Sequence, residues 1–213
     1  MNALFPQIGH SMITRRHILT LTAAAAFLPV PVWAQATADK AAAFVKSTGD
    51  RLVAVVNGPG STSEKRTQMT QIISSDVDVD GIGRFCLGRY WRQATPEQQK
   101  EYLNLFHEVL VTNITAKLGE YKGVTFTMGR SRMQDEEAVV STTVIRPNNA
   151  PTAVDWIIAS PGSAPKIIDV VAEGTSLRLT QRQDYASYLT HNNGSVDALI
   201  AAMKTQVSQS NSG

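Results

Sequence analysis

The chain has 213 residues with 20 basic and 18 acidic side chains, and a mean hydropathy of -0.12. Arg15 and Arg16 account for the whole basic excess, so the remainder carries 18 charges of each sign. That balance excludes a dedicated nucleic-acid surface, which needs a basic surplus, and the single cysteine excludes an internal disulfide.

Residues 1–36 read as an export signal. Thr14-Arg15-Arg16-His17-Ile18-Leu19-Thr20 is a twin-arginine pattern, and Met12 as the start would place the arginines at the very N-terminus. An alanine-rich run to Leu28 comes next, too short and too interrupted by prolines to span a bilayer. Val32-Trp33-Ala34 and Ala34-Gln35-Ala36 offer small residues, so cleavage is expected after Ala34 or Ala36. No cysteine directly follows either expected cleavage position, so a lipid anchor is not expected there. The reading is export to the periplasm, leaving one domain at 37–208, large enough for a single core, and a polar tail at 209–213.

Residues 38–57 read as a helix with Phe44, Val45, Leu52, Val55 and Val56 on one side, broken by Gly58-Pro59-Gly60. Ser61 and Glu64 form a capping box that opens a second helix with Met69, Ile72 and Ile73 inward. Asp76-Val77-Asp78-Val79-Asp80-Gly81 resembles the start of a calcium loop, but Leu87 stands where the bidentate glutamate belongs. The acids are therefore read as helix-start residues, and no metal site is expected. Phe85, Leu87, Tyr90 and Trp91 crowd around Gly88, which permits a tight turn. Cys86, flanked by Phe85 and Leu87, reads as a buried small hydrophobe.

The longest helix signal comes next. Thr95, Pro96 and Gln98 write its start, Leu103, Phe106, Leu110, Ile114 and Leu118 form its stripe, and Gly119 is expected to end it. The period then changes to two. Val124, Phe126 and Met128 alternate with threonines, Val139 to Ile145 is β-branched, Val154, Trp156 and Ile158 alternate, and Ile167 to Val171 is a fourth run. Asn148-Asn149 and Pro161-Gly162 punctuate the gaps. Glu173-Gly174 redirects the chain, Thr175 or Ser176 can cap the next segment, and Arg178 and Arg182 share a face if that segment is helical. A final helix is capped by Ser195 and carries Val196, Leu199, Ile200, Met203 and Val207. The fold class is α+β, with helices grouped against a four-stranded antiparallel sheet.

No catalytic constellation emerges. His107 and His191 lie far apart without metal-ligand partners, no glycine spacing frames a serine nucleophile, and Gly81-x-Gly83 is preceded by no strand. Asp155, Asp169 or His107 could serve as an acid or base only if held in an apolar pocket.

The motifs Leu-Gly-Arg-Tyr-Trp-Arg-Gln-Ala-Thr-Pro-Glu-Gln at 87–98, Leu-Asn-Leu-Phe at 103–106 and Asp-Val-Val-Ala-Glu-Gly-Thr-Ser-Leu-Arg-Leu-Thr-Gln-Arg at 169–182 resemble the MlaC/toluene-tolerance family. The resemblance implies a highly twisted antiparallel sheet wrapped by helices, an NTF2-like cup whose apolar cavity takes phospholipid tails. It implies no cofactor and no enzymatic activity. It also implies shuttling of lipid between an outer-membrane lipoprotein complex and an inner-membrane ABC transporter. Pro165 before Lys166 and Ile114 in the long helix depart from the family pattern. With Thr-Ser-Leu-Arg-Leu-Thr-Gln-Arg they look closer to the hopanoid-associated (HpnM-like) branch, so the ligand is phospholipid or hopanoid.

Sheltering two chains of roughly 15 methylenes requires about 24 kcal/mol of apolar contact at about 0.8 kcal/mol each. The expected lining is Phe126, Val144, Trp156, Ile168 and Val170 from the sheet, and Phe85, Trp91, Phe106 and Leu110 from the helices, with Arg178 and Arg182 at the mouth. Two alternatives stand beside the carrier: an enzyme acting on an apolar molecule in the same pocket, and an adaptor of a membrane complex that binds no lipid and has a filled core. For the leader, replacing both Arg15 and Arg16 by lysine is expected to block a twin-arginine route while sparing general secretion. Undiminished export of the variant, measured by fractionation, would show the pair to be an ordinary basic segment.

Overall fold

Five helices begin where a side chain takes up free backbone amides. Ser61 and Glu64 close a capping box, as do Thr95 and Gln98 with Pro96 in the first turn. Asp78 accepts from Gly81 N, Ser176 from Leu179 N, and Ser195 from Ala198 N. In the computed structural model, which describes residues 32–211, the helices are α1 (Val32–Asn57), α2 (Thr62–Asp76), α3 (Val79–Leu87), α4 (Pro96–Ala116), α5 (Leu177–His191) and α6 (Val196–Asn211). Short 3-10 turns come after α3 at Gly88–Arg92 and after α4 at Leu118–Tyr121. The strands are β1 (Thr125–Gln134), β2 (Glu137–Ile145), β3 (Thr152–Ala159), β4 (Lys166–Ala172) and β5 (Thr175–Ser176).

The strands form one antiparallel meander in the order β1-β2-β3-β4-β5. The sheet thus has five strands where four were expected. The extra one is the two-residue stretch read as a helix cap, because Ser176 both ends the ladder against Val171 and caps α5. Register places Phe126 opposite Val144, Val140 opposite Trp156, and Trp156 opposite Val170, so these side chains share the inner face. Two bulges interrupt the alternation, one at Gly129 and Arg130 in β1 and one at Ile168 in β4.

Apolar side chains gather in two clusters. One joins the sheet to the first half of α1, with Ala41 and Val45 on Ala138, Val140, Ile158 and Ile167. Here α1 comes so close to β1 that a Cβ on Gly49 would lie 2.5 Å from Phe126 Cζ, so a larger residue would have to displace that ring. The other cluster lies among the helices. Tyr102, Phe106 and Tyr185 meet there with ring centroids 5.9–6.3 Å apart, and the Tyr102 hydroxyl donates to Gly83 O at 2.9 Å.

Several expectations shift. The stripe Leu103, Phe106, Leu110, Ile114, Leu118 is not the buried face of α4. Leu103 and Leu110 are half-buried, Ile114 is 37% exposed, and Leu118 lies in the 3-10 turn with Gly119, after the helix has ended at Ala116. The buried face runs through Tyr102, Leu105, Phe106, Val109, Thr112 and Thr115. It includes hydroxyl residues, which an apolar pattern skips, because their oxygens are satisfied. Arg66 donates to Thr112, and Thr115 donates to Val111 O. Asp78 and Asp80 do open a helix, but Asp76 ends α2 and is buried. The first helix starts at Val32, so Ala34 and Ala36 lie near its beginning, while the twin-arginine segment falls outside the described residues. At the other end α6 continues into the polar tail as far as Asn211.

Burial raises the Tyr102 and Tyr185 hydroxyls well above the ordinary tyrosine value of 10.0. Below that pH the phenols are neutral in both states and their contribution is intact. Above it the unfolded chain ionises and the fold resists, so stability falls as pH rises, by up to about 1.4 kcal/mol per group per pH unit. Urea unfolding is expected to show this loss beyond about pH 10, and Tyr185→Phe should flatten the slope.

Candidate functional site

Helix α1 packs chiefly on β1 and β2, whereas α3 and α5 abut β4. Between these two coverings the inner face of β3 and β4 presents Trp156 and Val170 as cross-strand partners, both half-buried. The indole is oriented from the sheet itself. Trp156 Nε1 donates to Thr142 Oγ1 at 2.9 Å, and that hydroxyl donates to Val154 O at 3.2 Å. With its one polar atom satisfied on its own sheet, the ring is free to offer apolar surface elsewhere.

Phe126 and Val144 pair further along the same face, both half-buried, with Phe126 set against α1 at Gly49. Ile168 does not alternate with Val170 as expected, because it is the extra residue of the β4 bulge: Ile157 pairs with Asp169 and Ile158 with Ile167. Of the helical candidates, Phe106 is buried among Tyr102 and Tyr185, while Phe85, Trp91 and Leu110 are half-buried on the fringe of the helical cluster. The sheet and helical candidates therefore belong to different clusters. Among the described residues Val77 packs against both, and its backbone bridges to Ile167.

Arg178 and Arg182 converge on Phe85, with guanidinium carbons 4.9 and 4.7 Å from the ring centroid. Arg182 Nη1 donates to Phe85 O at 3.1 Å. The buried Asp169 carboxylate accepts from Val170 N, Arg178 N and Ser176 Oγ, and lies 3.4 Å from Arg178 Nε. It is an anion held at the start of α5, where the helix dipole and free amides favour one. Burial pushes the Cys86 thiol up to about 12, against the opposing pull of Arg182 and Arg178, and Sγ contacts Arg178 O at 3.6 Å. This thiol is a packing element, not a nucleophile.

Val77 and Thr142 were not singled out as site residues, and the hydrogen bonds that join Asp169 to Ser176 and Arg178 were not foreseen. Thr142 sits diagonally across the ladder from Trp156, and that relation depends on register. The acid/base candidates do not converge on an apolar pocket. Asp169 is saturated by its four donors, Asp155 lies on the opposite face of β3 from Trp156, and His107 meets Ser74 Oγ at 3.3 Å. No cluster of His, Cys, Asp or Glu among the described residues could hold a metal ion. Two open hollows flank α1. One of about 480 Å³ lies against α2 near Arg51, Gln68 and Ser75, and one of about 600 Å³ near Asn57, Lys65 and Lys122. Both mix polar with apolar walls and contain none of the predicted lining.

A meandering antiparallel sheet with an apolar inner face, partly covered by helices, defines a domain of α+β class. A family model described as MlaC protein matches residues 46–205, most of the sequence, and the chain belongs to the MlaC family. Lipid-binding proteins of this family are periplasmic carriers without enzymatic activity. The toluene tolerance protein Ttg2D of Pseudomonas putida is 25% identical over 143 residues, covering 66% of this chain and 66% of that protein. The solved phospholipid-binding protein of Ralstonia solanacearum, in complex with a phospholipid, shares the fold with a TM-score of 0.67. It is 24% identical over 80% of this chain and 98% of that one.

Replacing Asp169 by alanine removes a buried carboxylate and leaves the half-buried Ser176 hydroxyl and Arg178 guanidinium without their acceptor. A loss of roughly 3 kcal/mol in denaturant unfolding is expected; a loss below about 1 kcal/mol would show that water replaces the carboxylate without cost.

Proposed function

We propose that this protein is a periplasmic lipid carrier. It shelters lipid tails between the β3–β4 inner face and the helical cluster, and passes lipid between an outer-membrane lipoprotein complex and an inner-membrane ABC transporter. The observation that carries the reading is the division of the apolar side chains into two clusters, each with half-buried residues at its edge, and with Val77 packed against both. Trp156 and Val170 fringe one, and Phe85, Trp91 and Leu110 fringe the other. Family membership and the phospholipid in the R. solanacearum structure support the same reading. No described helix is long and apolar enough to cross a membrane. The twin-arginine leader with cleavage near Ala34 or Ala36 supports the periplasmic location, and the departures at Pro165 and Ile114 keep a hopanoid beside a phospholipid as the cargo.

A charge at Trp156 or Val144 can stay hydrated at a half-open surface while it repels hydrocarbon, unlike a charge in a closed core. Trp156→Glu and Val144→Glu are expected to abolish lipid co-purification, read by native mass spectrometry and lipid extraction, with near-normal thermal stability. Unfolding in step with lipid loss would make these residues core, and a wild-type protein that is always empty would overturn the carrier.

A further inference from the structure

Arg178 and Arg182 stand one helical turn apart on α5, and both guanidiniums lie within 5 Å of the Phe85 centroid. Two like charges above one ring repel each other, and a single carboxylate answers them. Asp169 takes Arg178 Nε, while no carboxylate among the described residues pairs with Arg182. Only Nη1 of Arg182 is engaged, by Phe85 O. The Nη groups of Arg178 and the Nη2 of Arg182 have no protein acceptor among the described residues, so the pair retains one unanswered positive charge and several aligned donors.

The forks are positioned before any ligand arrives. Stacking on Phe85 fixes their planes, and Gly88, at φ 58°, leaves the Arg182 fork its space, since a Cβ there would lie 3.2 Å from Nη2. Their place relative to the apolar wall is set by β4. Val170 points to the inner face beside Trp156, whereas its neighbour Asp169 points the other way, to Arg178. The arginines thus lie across β4 from the Trp156–Val170 face.

We propose that Arg178 and Arg182 form a clamp for a phosphate group, carried on a lipid headgroup or free in solution. Two planar guanidiniums match the oxygens of a tetrahedral phosphate with paired, charge-assisted hydrogen bonds. The single uncompensated charge of the site matches the single negative charge of a phosphodiester. For the headgroup, the inference rests on the carrier reading and extends it. The clamp selects phosphate-bearing lipids over uncharged ones, which have nothing to offer it.

The test offers the purified, delipidated protein vesicles of phosphatidylglycerol containing a minor share of diacylglycerol with the same acyl chains. Bound lipid is read by native mass spectrometry and normalised to mole fraction. Wild type is expected to prefer the phospholipid by at least about tenfold, the worth of one charge-assisted hydrogen bond. Arg182→Gln should bring phosphatidylglycerol uptake down to the diacylglycerol level, and Arg182→Lys should restore part of it. Thermal melting checks that each variant is folded. Titration with inorganic phosphate alone, followed by ³¹P NMR, distinguishes the free ion: binding by wild type, lost in Arg182→Gln, without lipid preference assigns the clamp to free phosphate. Equal uptake of both lipids with no phosphate binding overturns the clamp and leaves the carrier standing. Phosphate binding without uptake of either lipid overturns the carrier and leaves the clamp.

Discussion

The architecture depends on how α1 is held. Its first half lies on the sheet through Ala41 and Val45, and its second half enters the helical cluster through Val55. A helix serving two cores must have its rotation set, and apolar packing alone tolerates sliding. The pin is Asp76, a buried carboxylate at the end of α2 that accepts from Thr48 and Arg51 of α1 and from Ser75 beside it. An unpaired charge at that position would cost several kcal/mol. The network is therefore satisfied in one relative placement of α1 and α2, and Lys166 extends it to β4 by donating to Ser75 O.

A comparable device stands further along β4. Asp169, at the middle of β4, draws together that strand, the short β5 and the first turn of α5, and thereby presents Arg178 to Phe85. In both places a carboxylate surrounded by donors acts as a joint between elements that share little apolar area. These joints fix the frame, while the two clusters carry half-buried apolar side chains at their edges. Dispersion contacts of that kind can be exchanged for contacts with hydrocarbon at little net cost. A carrier needs both properties, a frame that persists and a contact surface that can be traded.

The sequence is a reliable guide wherever its signals are local. Capping boxes at Ser61–Glu64 and Thr95–Gln98, the cap at Ser195, the turn at Gly88 and the four long strands each depend on residues within a few positions of one another. Family motifs such as those at 87–98 and 169–182 are equally legible, because they record these turns and caps in order. The α+β class is written in that order of periods, helix then strand then helix.

What only the tertiary structure decided depends on partners distant in the chain. The face of α4 was misplaced because Thr112 and Thr115 are buried through hydrogen bonds that hydropathy does not register. Ile168 lost its place because a bulge resets the alternation, and a bulge is fixed by pairing across strands. Asp76 reads in sequence as a helix-start acid, and Asp169 as an acid or base only if an apolar pocket holds it. Their roles arise from Arg51, twenty-five positions before the one, and from Ser176 and Arg178 beyond a chain reversal after the other. Sequence determines which residues can cap, turn and alternate, since those are properties of neighbours. Whether a charge is buried, and which apolar face meets a partner, depends on what the fold places opposite it.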